Sequence, residues 1–428
     1  MNDIKEIYDD YLKEKFFYTR HKSGLEIIFV PKKFSTYYAL LGTRYGSVDS
    51  CFRYENEDTI TKVPDGIAHY LEHKMFESPD GADAFERFSE LGANANAFTT
   101  HNLTAYLFSC TSMFEESLLH LLSFVSEPYF TDENVEKERG IIAEEIEMYE
   151  DDPYSSLNHE ILQLLYKNNP VRIGVAGTVE SVSEITPELL YKCYNAFYTP
   201  SNMILSVCGD TNMELILSVC DKVFGNITDF SVERCTYEEQ NEVFQKRKEI
   251  KKSVSKPLFC IGIKDTVLSD AVQNTKKSVT VGMMMDMLFG SSSPFYVKMY
   301  SESLISSMNC GYDYGRDYAF GYLIGECESA DKVYSEFRHC VDRVGSELTE
   351  ADFNRIKKVT MSNFVKTFDN TENIATDALC MKIDGIDIYN YADVIASIDF
   401  EYVKDVAKDF FSEKRCAMMT VIPQESRE

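Results

Sequence analysis

The stretch VPDGIAHYLEHKMFES, residues 63–78, decides how this chain is read. Inside it stands His69-Tyr70-Leu71-Glu72-His73, two histidines four apart with a glutamate directly before the second. Helical periodicity runs from about Gly66 to Phe76, and on a helix positions i and i+4 share one face. Both imidazoles can therefore point at one ion. Glu72 lies beside that face without having to be a ligand, the place of a general base that activates water. Asp65 is the expected cap of the helix start. The plain alternative is a helix with two ordinary histidines and an i, i+3 acid neighbour, so a third ligand is the deciding feature.

A catalytic zinc takes three protein ligands and keeps one position open for water. The acid-rich segment VEKERGIIAEEIEMYEDDP (135–153) can supply the third. Glu138 and Glu145 are seven apart, two turns along one helix face, while Glu144 and Glu147 point away by roughly 100° to 160°. This spacing favours Glu145 as ligand, with Glu138 as the carboxylate that orients the site. Glu144 is the competing ligand, and a solvated acidic face is the reading without function.

Outward from these segments the chain reads as α+β. Strand-like runs are LEIIFV (25–30) and TYYALLGTRYGS (36–47). A helix DAFERFSELG (83–92) ends at Gly92, a plausible C-cap. ANANAFTT (93–100) and TAYLFSCT (104–111) alternate as an antiparallel pair. Helices fill about 113–198, and NMILSVCGD (202–210) is a buried strand. The same order recurs weakly after 250, with strand LFCIGIK (258–264), helices, two strands near 308–327, more helices and a closing strand CAMMTVI (416–422). The expectation is an N-terminal catalytic lobe over 1–225, a polar linker over 226–250 and a C-terminal lobe of similar plan over 251–428.

Composition narrows the function classes. With 44% hydrophobic and 26% charged residues, the chain is an ordinary globular protein. The net charge of -27 argues against nucleic acid, whose phosphates need clustered Lys and Arg. No apolar run is long enough for a membrane helix, and MNDIKEIYDDYLKEKFF (1–17) has no signal-peptide core. A cytoplasmic protein without a membrane partner is expected. The 12 cysteines are scattered, with no CxxC pair, and read as buried thiols filling cores in a reducing compartment.

Taken together, these motifs resemble the pitrilysin or insulin-degrading-enzyme superfamily of inverzincins, closest to its small bacterial members related to mitochondrial processing peptidase. GSVDS (46–50), PDGIAHYLEHKMFE (64–77), NANAFT (94–99), ERGIIAEEIEMYEDDP (138–153), AGTVESV (176–182) and YTPSNMILSVCGD (198–210) follow its landmarks in order. The resemblance implies a zinc metalloendopeptidase in which His69, His73 and Glu145 bind one zinc and Glu72 is the base. It implies two homologous lobes, each a mainly antiparallel sheet backed by helices, two such pairs enclosing a clamshell chamber for unstructured peptides. It also implies that the strand holding Asn96, Ala97, Phe98 and Thr99 pairs with the extended substrate by main-chain hydrogen bonds. His101 beside it is a local polar side chain.

In active relatives the C-terminal lobe contributes an arginine and, seven residues on, a tyrosine near the scissile bond. In SPFYVKMYSESLISSMNCGYDYG (293–315) those places hold Tyr300 and Ser307, with Arg316 and Tyr318 nearby at another spacing. The resemblance therefore implies a homologous subunit as partner, in a heterodimer with this chain as the zinc-bearing half, or in a homodimer. The competing reading is a non-catalytic core or adaptor subunit; such subunits usually lose a histidine or the base, and this chain keeps all of them.

Overall fold

Apolar runs and alternating segments become strands throughout a computed structural model that describes residues 3–55, 57–79, 81, 83–225 and 232–424. In chain order the first are β1 (Lys5–Asp9), β2 (Glu14–Arg20), β3 (Glu26–Pro31), β4 (Tyr37–Thr43), β5 (Cys51–Tyr54) and β6 (Thr61–Lys62). β7 (Asn94–Thr99), β8 (Thr104–Cys110), β9 (Met203–Gly209) and β10 (Val232–Arg234) follow. Seven of them form one sheet, ordered β1-β2-β3-β9-β4-β8-β7, in which only β3 and β9 run parallel. Every residue of β9 is buried, as expected of a continuous apolar run in a strand covered on both faces. β5, β6 and β10 make a small separate sheet.

The early helices are α1 (Ile67–Lys74), α2 (Ala84–Glu90), α3 (Phe114–Ser126), α4 (Asp132–Asp151) and α5 (Pro153–Leu165). Ile67, Ala68 and Leu71 of α1, Leu118 and Leu122 of α3, and Val135, Ile142 and Ile146 of α4 share one core with Ile27, Leu41, Leu205 and Val207 of the sheet. This periodic burial is what ordinary amphipathic helices achieve on a sheet face.

The second sheet contains β11 (Arg247–Lys252), β12 (Leu258–Asp265), β13 (Ile305–Tyr314), β14 (Ala319–Cys327) and β15 (Cys416–Pro423). Its order is β11-β15-β12-β14-β13, again with one parallel pair, β11 and β15, followed by antiparallel neighbours. The run β3-β9-β4-β8-β7 follows the same pattern. The α+β class and the repeated lobe plan are therefore present, with β1 and β2 added to the first copy.

The chain forms two compact units that are discontinuous in sequence. One contains 1–146, 174–235 and 364–390; the other contains 147–173, 236–363 and 391–428. Each thus includes a helical segment from the opposite half of the sequence, which a division at a linker does not anticipate. Glycine explains how those helices pack. A Cβ on Gly42 of β4 would stand 2.9 Å from Leu379 of the helix Thr371–Ile383. A Cβ on Gly262 of β12 would stand 2.7 Å from Ile161 of α5. In both places the missing side chain lets a helix lie directly on a central strand.

Residues 226–231 of the expected linker fall outside the described residues. The rest is held in place. β10 pairs with β5 and Cys235 forms a disulfide with Cys51. Glu239 accepts the backbone N–H groups of Lys167, Asn168 and Asn169 and pairs with Lys264 at 2.8 Å. The disulfide corrects the reading of all cysteines as free thiols, because two positions far apart in sequence meet across the small sheet. The other ten are free, and eight of those are buried. Among the described residues no helix is long and apolar enough to cross a membrane.

Candidate metal centre

Helix α1 does not start on Asp65. Its N-cap is Gly66, at φ 87°, with no side-chain cap. A Cβ there would lie 2.3 Å from the Ala176 carbonyl oxygen, and one on Gly177 would lie 2.5 Å from that of Asp65. The Ser181 hydroxyl donates to the same Asp65 carbonyl at 2.8 Å. The two glycine turns in PDGI and AGTV thus press backbone on backbone and set where α1 begins. Left-handed φ and this close approach both require glycine. Asp65 therefore stands one residue before the cap position and does not cap the helix.

From that start, Ile67, Ala68, Tyr70 and Leu71 turn inward, and the Tyr70 hydroxyl donates to the Val135 carbonyl in α4. His69 and His73 stand on the other face, stacked edge-on with ring centroids 4.6 Å apart. α4 buries Val135, Glu138, Ile142 and Ile146. That phase turns Glu145 toward the histidines and leaves Glu144 exposed. His69, His73 and Glu145 each offer one donor atom, all within 4.8 Å of one another, and they form the one such group among the described residues.

Glu145 Oε1 lies 3.8 Å from His69 Nε2, and its Oε2 lies 3.6 Å from His73 Nε2. Tetrahedral ligands roughly 2.1 Å from one zinc stand about 3.4 Å from each other, so the three donors lie on the scale of one such ion. A carboxylate can only accept, so the 3.1 Å contact between His73 Nδ1 and Glu138 Oε1 puts a proton on Nδ1. The lone pair of the neutral ring is then at Nε2, on the Glu145 side. Two imidazole nitrogens and one carboxylate oxygen are the protein donors that a catalytic zinc takes.

The surrounding charges fit the same picture. Burial, with the charge of His73, pushes His69 down to about 4, so that ring is neutral near pH 7. Burial works against a charge on His73, but the hydrogen bond to Glu138 and the neighbouring carboxylates hold its pKa up. The hydrogen bond from His73 holds Glu138 low against burial, and Lys74 adds to the effect. Burial raises Glu72, opposed by the hydrogen bond from Thr99 and by His73.

Asn96, Ala97, Phe98 and Thr99 lie on β7, an edge of the seven-stranded sheet, so one side of their backbone has no strand neighbour among the described residues. The Asn96 side chain accepts the Ala97 N–H at 2.9 Å. His101 bonds Ser47 at 2.8 Å and is not in the donor group. Tyr300 is exposed at the end of the helix Pro294–Ser301, and Ser307 is in β13. Arg316 pairs with Asp317 at 3.4 Å, and Tyr318 is buried. Two side chains at the site are not among the residues expected there. Lys74 is fully buried, 2.8 Å from Glu77 and 3.6 Å from Glu138. The other is the Thr99 side chain, which bonds Glu72 at 2.7 Å. A lysine directly after the second histidine is the one signal that could have flagged the first.

Fold and site together define a class, and the comparisons agree with it: the chain belongs to peptidase family M16, within the pitrilysin superfamily. Residues 48–179 match "Insulinase (Peptidase family M16)" and residues 184–360 match "Peptidase M16 inactive domain". Among particular relatives, an uncharacterized zinc protease of Bacillus subtilis, YmfH, is 36% identical over 98% of this chain and 100% of its own length. The crystal structure of a putative M16-like peptidase from Alicyclobacillus acidocaldarius has a TM-score of 0.90 at 30% identity, covering 99% of each chain. The periplasmic protease PqqL of Escherichia coli shares the fold, with a TM-score of 0.73 at 15% identity over 98% of this chain and 48% of that one.

Proposed function

We propose that this chain is a zinc metalloendopeptidase acting on extended, unstructured peptides. The observation that carries this is the His69–His73–Glu145 donor group with Glu72 buried beside it. Zinc held there would polarise a peptide carbonyl and lower the pKa of a water to near 7. Glu72 would take the water's proton and deliver it to the leaving nitrogen. The open edge of β7, at Asn96–Thr99, offers main-chain groups that bind peptide backbones of almost any sequence. Glu138 holds His73 in the orientation a ligand needs.

The same reading includes a homologous partner, with this chain as the zinc-bearing half of a processing peptidase. Two observations support it. Tyr300 and Ser307 occupy the places where an arginine and a tyrosine are expected. PqqL carries this fold on about half its length, so a pair of such chains matches it in size. The "inactive domain" match is what a non-catalytic subunit would show, but it covers 184–360, outside the donor group.

Glu72→Gln tests the chemistry. The amide keeps the shape and cannot take the proton, so turnover of an unstructured peptide should fall at least roughly 10²–10⁴-fold while zinc stays bound. Retained turnover removes Glu72 from its role. Co-expression with a homologue from the same genome, followed by size-exclusion chromatography and peptide assay, tests the partner. Full activity from this chain alone, unchanged by the homologue, sinks that part.

A further inference from the structure

Thr99 closes strand β7, and its hydroxyl donates to Glu72 Oε2 at 2.7 Å. Its Oγ1 also lies 3.2 Å from that of Thr104, its cross-strand partner. Thr104 is fully buried and donates to the Tyr45 carbonyl at 3.0 Å. Each hydroxyl has a single hydrogen. Thr104 spends its own on a buried carbonyl, which an unmet partner would penalise. The Thr99 hydrogen is then left for the acceptor-only carboxylate, and charge-assisted bonds of this kind are roughly twice as strong as neutral ones. One oxygen of Glu72 is therefore held from behind by the sheet. Among the described residues Oε1 has no hydrogen-bond partner of its own.

We propose that Thr99 is a positioning residue for Glu72, holding Oε2 so that Oε1 is the oxygen presented to the reacting water. This rests on the reading of Glu72 as the base. Thr99 then has two separate duties: its backbone belongs to the peptide-binding edge, and its side chain belongs to the base. A peptide added to β7 would pull directly on the residue that aims the carboxylate.

The test compares Thr99→Val, Thr99→Ala and Thr99→Ser with wild type and Glu72→Gln, all as full chains with any required partner. The substrate is a quenched-fluorescent casein peptide. Readouts are kcat, KM, zinc content, and the affinity of the zinc-free proteins for the same peptide. Loss of the hydroxyl in the Val and Ala variants should lower kcat by roughly 10²-fold, the scale of a misplaced group. KM, zinc content and zinc-free peptide affinity should stay within about twofold of wild type, as expected for an effect confined to the transition state. Thr99→Ser, which keeps the hydroxyl, should restore kcat to within about threefold. If the Val variant does not fold, Ala against Ser decides, and equal kcat in those two overturns the proposal. A loss expressed as higher KM and weaker peptide binding also overturns it, because Thr99 would then be acting on substrate. An active Glu72→Gln sinks the general-base reading itself. An inactive Glu72→Gln beside a Thr99→Val with normal kcat sinks only the role of Thr99.

Discussion

Glu138 Oε1 stands 3.1 Å from Nδ1 of His73, and this contact decides which nitrogen of that ring is free. The ring's other nitrogen faces Glu145. Lys74 approaches the far oxygen of the same carboxylate at 3.6 Å, so Glu138 is bracketed by a lysine and a histidine adjacent in sequence.

Glu138→Gln should weaken zinc binding by about 10–100-fold, the usual cost of removing an outer-shell carboxylate. Chelator competition measures it. Unchanged affinity would mean that packing alone orients His73.

Glu145→Gln should lose zinc far more readily than Glu144→Gln, because a neutral amide is a poor ligand for a divalent ion. Glu144 is exposed and outside the donor group. Metal analysis after dialysis compares the two. Equal loss would place the third ligand elsewhere on α4.

Gly66→Ala combines a left-handed φ with a 2.3 Å approach to the Ala176 carbonyl oxygen. It should destabilise by about 3–4 kcal/mol, adding strain to overpacking. Gly92 also has positive φ, at 69°, but a Cβ there meets nothing within 4 Å. Gly92→Ala should cost only about 1–2 kcal/mol. Urea unfolding of both variants tests the contrast, and equal losses would rule out the backbone contact as the cause.

The Cys51–Cys235 disulfide links positions 184 apart. Closing so long a loop should stabilise by roughly 2–5 kcal/mol. Dithiothreitol should therefore lower Tm of the wild type and leave the Cys51→Ser/Cys235→Ser double variant unmoved. A wild-type Tm indifferent to reductant would show that the bond contributes nothing.

What the sequence determined by itself is periodic and local. His69 and His73 share a face because a helix repeats every 3.6 residues, whatever surrounds it. The same rule makes Glu138 and Glu145 one stripe of α4, and the apolar run of β9 requires cover on both sides. Tertiary structure decided what depends on contacts between distant segments. The packing of Ile142 and Ile146 into the core turns Glu145, and not Glu144, toward α1. Gly66 and Gly177 start α1 by backbone contact where Asp65 looked like a cap. Cys51 meets Cys235 because β5 pairs with β10, and Thr99 reaches Glu72 because β7 runs beside α1. None of these pairs has a short-range period to announce it. Each follows from where the chain returns after a long loop, and that is set by the sum of the packing.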